Sequence, residues 1–81
     1  MAENERRVIE TLRAVFANKG LEPPELGPDT LLDRSLGLES IDFAELVVRL
    51  ERVFGADPFA TGEVPAIRTI RDLAGLYDQG P

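Results

Sequence analysis

Apolar residues recur at helical spacing in three separate segments of this chain, and glycine and proline interrupt that spacing between them. The first segment covers residues 3–19. Its apolar side chains fall in one sector of a helical wheel: Val8, Ile9, Leu12, Val15 and Phe16. Charged residues line the rest of the wheel, and Gly20 follows as a stop signal. This pattern predicts an amphipathic helix with one buried face.

A long connection follows over residues 20–39, with three prolines and three glycines. Connections of this length without regular structure are uncommon in compact domains. Several leucines nevertheless lie within it: Leu21, Leu26, Leu31, Leu32, Leu36 and Leu38. So many leucines predict a loop that is held against the core rather than a disordered one.

The remaining two helices are marked by their ends. A second helix is predicted over residues 40–54, because Gly55 follows as a stop signal. The last helix is predicted over residues 69–78, with Thr69 as its N-cap and an aspartate three residues further on, as in a capping box. Both segments have the apolar spacing of a helix that packs by one face.

The segment between those helices is irregular in its pattern. Gly62 and Pro65 predict a short and irregular structure within residues 57–67, and the pattern leaves open whether a helix forms there. With 81 residues, the chain has room for one domain. We therefore predict an all-α single domain over residues 1–81, a small three- to four-helix bundle with a long first loop.

The residue types that the chain lacks narrow the range of functions that it can have. It has no cysteine and no histidine, which removes disulfides, soft metal sites and imidazole-based proton transfer. An enzyme is therefore disfavoured, and we expect no metal site. A net charge of −6 disfavours binding to nucleic acids and anionic membranes, and favours a partner with a basic surface. The charged N-terminus and the lack of a long apolar stretch predict a cytoplasmic protein.

The predicted second helix has more apolar surface than one packed face requires. Its wide apolar face, expected in the core, comprises Phe43, Leu46, Val47, Leu50, Val53 and Phe54. Its polar, solvent-facing side is expected to comprise Asp42, Glu45, Arg49 and Arg52. A separate apolar stripe of Ile41, Ala44 and Val48 lies beside Ser40. Either the 20–39 loop or the last helix covers this stripe, or a partner docks on it.

Ser40 stands where the leucine-rich loop meets the second helix, and three roles are open to it. A serine at such a position most often caps the helix. A hydrolytic role is disfavoured, because the chain has no histidine base and no Gly-x-Ser-x-Gly turn. Alternatively, a second enzyme modifies the hydroxyl. A phosphodiester there would lie at the positive end of the helix dipole, where anions are favoured.

The residues that open the second helix form an ordered motif. Residues 36–42 read Leu-Gly-Leu-Glu-Ser-Ile-Asp, residues 45–47 read Glu-Leu-Val, and residues 54–55 read Phe-Gly. At these spacings the set resembles the phosphopantetheine-attachment motif of the acyl carrier protein family, roughly Leu-Gly-x-Asp-Ser-Leu, an acidic position, Glu-Leu and a final Phe-Gly. The resemblance spans nearly the whole chain. Glu39 and Ile41 depart from the usual Asp and Leu, which indicates a specialised carrier.

The resemblance implies that Ser40 carries 4′-phosphopantetheine, transferred from coenzyme A by a phosphopantetheinyl transferase. The arm would hold an acyl or aminoacyl group as a thioester. Further implied partners are an acyl- or aminoacyl-loading ligase and the acyl-processing or condensing enzymes of fatty-acid, polyketide or nonribosomal-peptide type pathways. The implied partner surface comprises Glu39, Ile41, Asp42, Ala44, Glu45 and Val48. We expect a non-catalytic monomer; the alternatives are a helical interaction module that is never modified and a small hydrolase that uses Ser40.

Overall fold

Three α-helices and one 3₁₀ helix make up the helical structure of the residues that the structure describes. The computed structural model describes residues 1–60, 62 and 66–77. The helices are α1 over Glu3–Asn18, a 3₁₀ helix over Arg34–Leu36, α2 over Ser40–Phe54 and α3 over Ile70–Leu76. The predicted all-α fold class is confirmed for this part of the chain, and α2 has the predicted bounds. The 3₁₀ helix inside the long loop was not predicted.

Helix α1 packs against both α2 and α3. Every residue of its predicted apolar face is buried. Leu46 and Leu50 of α2, and Ile70 and Leu73 of α3, complete the core from the two sides. Because each fully buried aliphatic side chain contributes about 1.5–3 kcal/mol through its removal from water, the apolar face of α1 holds the bundle together.

Only part of the predicted apolar face of α2 lies in the core. Leu46 and Leu50 are fully buried, while Phe43 and Phe54 pack against the core from its edge. Val53 is 42% exposed, so its assignment to the core was wrong. Two helices meet along a narrow line of residues spaced three or four apart. Side chains at the margin of a wider apolar sector therefore stay in contact with solvent.

The loop between α1 and α2 is held against the core, as its leucines predict. The leucines divide into three pairs: buried Leu26 and Leu38, partly buried Leu32 and Leu36, and exposed Leu21 and Leu31. Backbone hydrogen bonds add to this packing. The Leu32 N–H donates to the Arg68 carbonyl at 2.8 Å, and the Ile70 N–H donates to the Thr30 carbonyl at 3.1 Å. The loop is thereby tied to the start of α3.

A turn follows α2. The Asp57 side chain accepts a hydrogen bond from the Phe59 N–H at 3.0 Å, and the Asp57 carbonyl accepts one from the Ala60 N–H at 3.2 Å. No helix forms among the described residues of the 57–67 segment. Residues 61 and 63–65, which complete that segment, lie outside the described residues.

The start of α3 agrees with the predicted capping box. The Thr69 hydroxyl accepts a hydrogen bond from the Asp72 N–H at 3.2 Å, and the Asp72 carboxylate accepts one from the Thr69 N–H at 3.1 Å. Helix α3 begins at the next residue, Ile70. Residue 78, the predicted end of this helix, lies outside the described residues.

Tyr77 is buried after α3 and stacks on Phe54, with ring centroids 4.4 Å apart and an interplanar angle of 17°. Its hydroxyl has no hydrogen-bond partner within the described part of the chain. Burial, followed by the nearby carboxylates of Asp57 and Glu51, raises the pKa of Tyr77 to about 12. The ring therefore joins the end of α2 to the end of α3 by apolar contact alone.

Replacing Tyr77 with phenylalanine should stabilise the fold. A buried hydroxyl without a partner is destabilising, so we expect the free energy of unfolding to rise by about 1 kcal/mol. Urea denaturation at neutral pH measures this change. As the matched control, Tyr77→Ala removes the stacked ring and should lower the free energy of unfolding by about 3 kcal/mol. A Tyr77→Phe variant less stable than the parent chain would show that the hydroxyl does bind a partner.

Candidate functional site

Ser40 is the first residue of α2, and it is exposed. Its hydroxyl makes no hydrogen bond to any residue that the structure describes. The first turn of α2 is held instead by Asp42, whose Oδ2 accepts a hydrogen bond from the Glu39 N–H at 2.8 Å. The capping alternative considered for Ser40 is therefore wrong, and its oxygen is free for other chemistry.

A short 3₁₀ helix, held at its start and at its end, precedes Ser40 in the chain. Asp33 starts the 3₁₀ helix by accepting a hydrogen bond from the Ser35 N–H at 2.8 Å. Gly37 ends it with a φ of 83°, in the left-handed region where a Cβ is unfavourable. The next residue, Leu38, is 3% exposed and packs in the core. The side chain of Ser40 is thus exposed, while the backbone before it is held in a defined conformation.

An open cleft of about 850 Å³ lies against Ser40. Its lining residues are Asp33, Arg34, Gly37, Leu38, Glu39, Ser40, Ile41 and Phe43. Arg34 is the cation among them. Backbone N–H groups at the start of a helix favour anions, because the helix dipole is positive there. A negatively charged group on Ser40 would therefore meet both the start of α2 and a cleft that contains an arginine.

Asp42 lies in the interior rather than on the polar face predicted for it. The residue is 7% exposed, and its Oδ2 accepts a hydrogen bond from Lys19 Nζ at 2.6 Å. The prediction that Asp42 faces solvent was wrong, because a helical wheel of α2 carries no information about a cation from a distant part of the chain. Lys19, which looks peripheral in the sequence, follows the last residue of α1. A capping box could have identified the role of Asp42 toward Glu39, but no sequence signal pointed to Lys19.

The ion pair between Lys19 and Asp42 shifts both groups toward their charged forms. The hydrogen bond from Lys19, followed by that from the Glu39 N–H, lowers the pKa of Asp42 below its usual value. The hydrogen bond to Asp42 raises the pKa of Lys19 above its usual value. Both groups are therefore charged throughout the neutral range.

The second apolar stripe of α2 is exposed. Ile41 is 74% exposed and Val48 is 51% exposed, and Ala44 between them also faces solvent. Neither the 20–39 loop nor α3 covers these side chains. Large apolar groups that remain together in solvent commonly mark a surface that contacts another molecule.

The acidic residues beside this stripe differ in their surroundings. Glu39 is exposed and lines the cleft next to Ser40. Glu45 is half-buried, and its carboxylate accepts a hydrogen bond from Arg49 at 2.9 Å. With Asp42 paired to Lys19, two of the three predicted acidic partner residues already have a cation of this chain beside them.

The described residues contain neither a cluster of metal ligands nor a helix that could span a membrane. Among them, no group of three or more acidic, histidine or cysteine side chains is placed to hold a metal ion. Nor is any helix in the described ranges both long and apolar enough to cross a membrane. The cleft at Ser40 and the apolar stripe beside it form the candidate functional site.

Comparison with known proteins identifies a family and several relatives, among them two acyl carrier proteins. The family described as phosphopantetheine attachment site matches residues 10–77. The chain is 29% identical over 72 residues to acyl carrier protein 2 of Ralstonia nicotianae, and the match covers 88% of each chain. It is 25% identical over 71 residues to the acyl carrier protein of Thermosynechococcus vestitus, with 86% of each chain covered. No solved structure gives a significant match.

The stabilising effect of Asp42 should disappear at acid pH. Because its pKa in the folded chain is below the value of about 3.9 in an unfolded chain, the charged form favours folding. The contribution is complete above the unfolded pKa and is lost as pH falls through the folded one. Urea denaturation of the parent chain and of Asp42→Asn should therefore give a difference in stability that is constant above about pH 5. That difference should shrink below about pH 4.

A difference between the parent chain and Asp42→Asn that stays constant down to about pH 2 would contradict this assignment. Asp72→Asn is the matched control, because the pKa of Asp72 is also lowered, by the backbone N–H groups of Arg68 and Thr69. Its effect should also disappear in acid. Unlike Asp42, however, Asp72 should be insensitive to the replacement of Lys19.

Proposed function

The chain belongs to the acyl carrier protein family, whose domains bear a phosphopantetheine attachment site, and from this premise we propose that Ser40 is the residue that bears the arm. The proposal rests on the exposure of Ser40 and on its lack of hydrogen bonds to the described residues. Ser40 is an exposed serine at the start of α2, and its hydroxyl makes no hydrogen bond to the described residues.

The surroundings of Ser40 fit a phosphodiester. The start of α2 favours an anion, Arg34 lines the adjoining cleft, and the exposed hydroxyl is open to an incoming enzyme. When bound, the arm would supply a terminal thiol that holds an acyl or aminoacyl group as a thioester, and the chain itself has no cysteine to do so. The residues of the chain hold the arm and present it.

The Ser40 hydroxyl would act as the nucleophile when the arm is attached. Its oxygen forms a bond to the phosphorus of the pantetheine phosphate, and the pyrophosphate bond of coenzyme A breaks. The adenosine 3′,5′-bisphosphate part leaves, and the hydroxyl gives up its proton. Because this chain has no histidine, we infer that a phosphopantetheinyl transferase supplies the base. The chain is therefore a substrate of that enzyme and not itself a catalyst.

We propose further that partner enzymes dock on the exposed stripe of Ile41, Ala44 and Val48. Glu39 and Glu45 border this stripe. Asp42 is not part of the proposed surface, because it is buried against Lys19. The partners would be the transferase, a loading ligase and acyl-processing or condensing enzymes of fatty-acid, polyketide or nonribosomal-peptide type pathways. Residues 1–81 would act as one carrier domain.

Incubation of the purified chain with coenzyme A, Mg²⁺ and a broad-specificity transferase should add the mass of one arm. Intact-mass spectrometry measures the change, and Ser40→Ala should abolish it. Ser35→Ala is the matched control, because Ser35 and Ser40 are the two serines of the chain and Ser35 lies one turn of backbone away in the 3₁₀ helix. That variant should still gain one arm.

Two results would count against this proposal. A gain of mass that persists in Ser40→Ala would place the arm elsewhere. No gain with several transferases, together with a stable complex that forms between the unmodified chain and a partner, would favour a helical interaction module instead.

Docking should depend more on the apolar stripe than on acidic charge. Replacing Val48 with serine should lower kcat/KM for arm attachment by about tenfold, because the contact of one aliphatic side chain is lost. Glu45→Gln should lower it by less than about threefold, because Arg49 already compensates this charge. The matched control, Glu10→Gln, removes the same charge from a glutamate that is paired with an arginine on α1, and it should have no effect.

The salt dependence of the same rates is a second measure of how far docking depends on charge. Rates for the parent chain should change little between about 0.05 and 0.5 M NaCl, a range over which screening removes most surface attraction. A steep fall with salt, combined with a larger effect of Glu45→Gln than of Val48→Ser, would show that charge dominates docking.

A further inference from the structure

Lys19 joins the end of α1 to the first turn of α2. It is the one lysine of the chain, and it immediately follows the last residue of α1. Its Nζ contacts Asp42 Oδ2 at 2.6 Å, across a separation of 23 residues in the sequence. The pair therefore closes the whole 20–39 loop at the end of the molecule that contains Ser40.

One oxygen of Asp42 connects Lys19 with the backbone next to Ser40. Oδ2 accepts the hydrogen bond from Lys19 and also the one from the Glu39 N–H, at 2.8 Å. The Glu39 carbonyl in turn belongs to the peptide group that includes the Ser40 nitrogen. Lys19 thus acts on the position of Ser40 through a single intermediate side chain.

This ion pair is more buried than the others among the described residues. The side chains of Lys19 and Asp42 are 28% and 10% exposed, whereas those of Arg6 and Glu10 are 51% and 62% exposed. Exposed ion pairs contribute little to stability. A charge that is buried beside its partner, in contrast, becomes strongly unfavourable when that partner is removed. Asp42 should therefore move, or bind water, when Lys19 is absent.

Resting on the proposed attachment of the arm at Ser40, we infer that Lys19 is a positioning residue for that reaction: through Asp42 it holds the Glu39–Ser40 backbone in the orientation that the transferase requires. Lys19 does not contact the reacting atoms. It acts on the conformation of the chain before the reaction, by fixing the turn that contains Ser40.

The test uses Lys19→Met, which removes the charge and keeps an apolar stem of similar length. Lys19→Arg keeps the charge and can still reach a carboxylate. Asp42→Asn keeps an acceptor for the Glu39 N–H but removes the ion pair. Arg6→Met is the matched control, because it removes the same charge from α1 near the other end of the helix.

Kinetics of arm attachment, with the chain as the varied substrate, separate positioning from docking. Lys19→Met should lower kcat by about tenfold, because small displacements of a nucleophile slow reaction strongly. Its KM should change by less than about twofold, because the apolar stripe continues past the first turn of α2. Lys19→Arg should restore most of the rate, and Arg6→Met should match the parent chain. The double variant of Lys19→Met with Asp42→Asn should be no slower than either single variant.

Amide hydrogen exchange of the unmodified chain gives a readout that does not depend on the transferase. The Glu39 amide should exchange about tenfold faster in Lys19→Met and in Asp42→Asn than in the parent chain, while amides in the middle of α1 keep their rates. A merely global loss of stability would instead speed the exchange of all core amides together. If Lys19→Met does not fold, Asp42→Asn, which also removes the ion pair, provides the same comparison.

Each outcome bears on one proposal. If the parent chain gains an arm and Lys19→Met does so at the parent rate, or more slowly only through KM, the inference about Lys19 is wrong and the carrier function stands. Unchanged exchange of the Glu39 amide would also overturn it. If the parent chain gains no arm with any transferase, the proposed function fails, and the inference fails with it.

Discussion

The packing of α1 against α2 and α3 is the contact on which the rest of this structure depends. The chain has no disulfide, and its core is formed where the apolar face of α1 meets Leu46 and Leu50 on one side and Ile70 and Leu73 on the other. Leucines of the long loop extend the same core. Because Leu38 is buried two residues before Ser40, this packing also fixes the place at which the proposed arm is attached.

Local patterns in the sequence were sufficient to predict the three α-helices, but not the 3₁₀ helix. The apolar spacing and the glycine stop signals predicted the bounds of α2, and the capping box predicted the start of α3. The exposed state of Ile41 and Val48 could not be predicted, because a second apolar stripe is equally compatible with a covering loop. The contact between Lys19 and Asp42 was also missed. It joins residues that are far apart in the sequence, and helical periodicity carries no information about such pairs.

Net charge is a poor guide to the electrostatics of the proposed docking surface. The chain has a net charge of −6, which favours partners with a basic surface. Beside the apolar stripe, however, Asp42 is paired with Lys19 and Glu45 with Arg49. Glu39 is the exposed acidic residue next to Ser40. We therefore expect docking on this surface to rest on apolar side chains rather than on acidic charge.

The proposed attachment of the arm at Ser40 sets two requirements that conflict within one small domain, and the arrangement around Ser40 satisfies both. A residue that several enzymes must reach has to be exposed, yet a nucleophile reacts efficiently only when its position is fixed. Within the part of the chain that the structure describes, the side chain of Ser40 makes no hydrogen bond that an incoming enzyme would have to break. Its backbone, by contrast, is constrained by buried Leu38 before it and buried Asp42 after it. A single buried carboxylate, paired with the lysine that follows α1, thus supplies order at the position proposed for the arm, which is open to solvent.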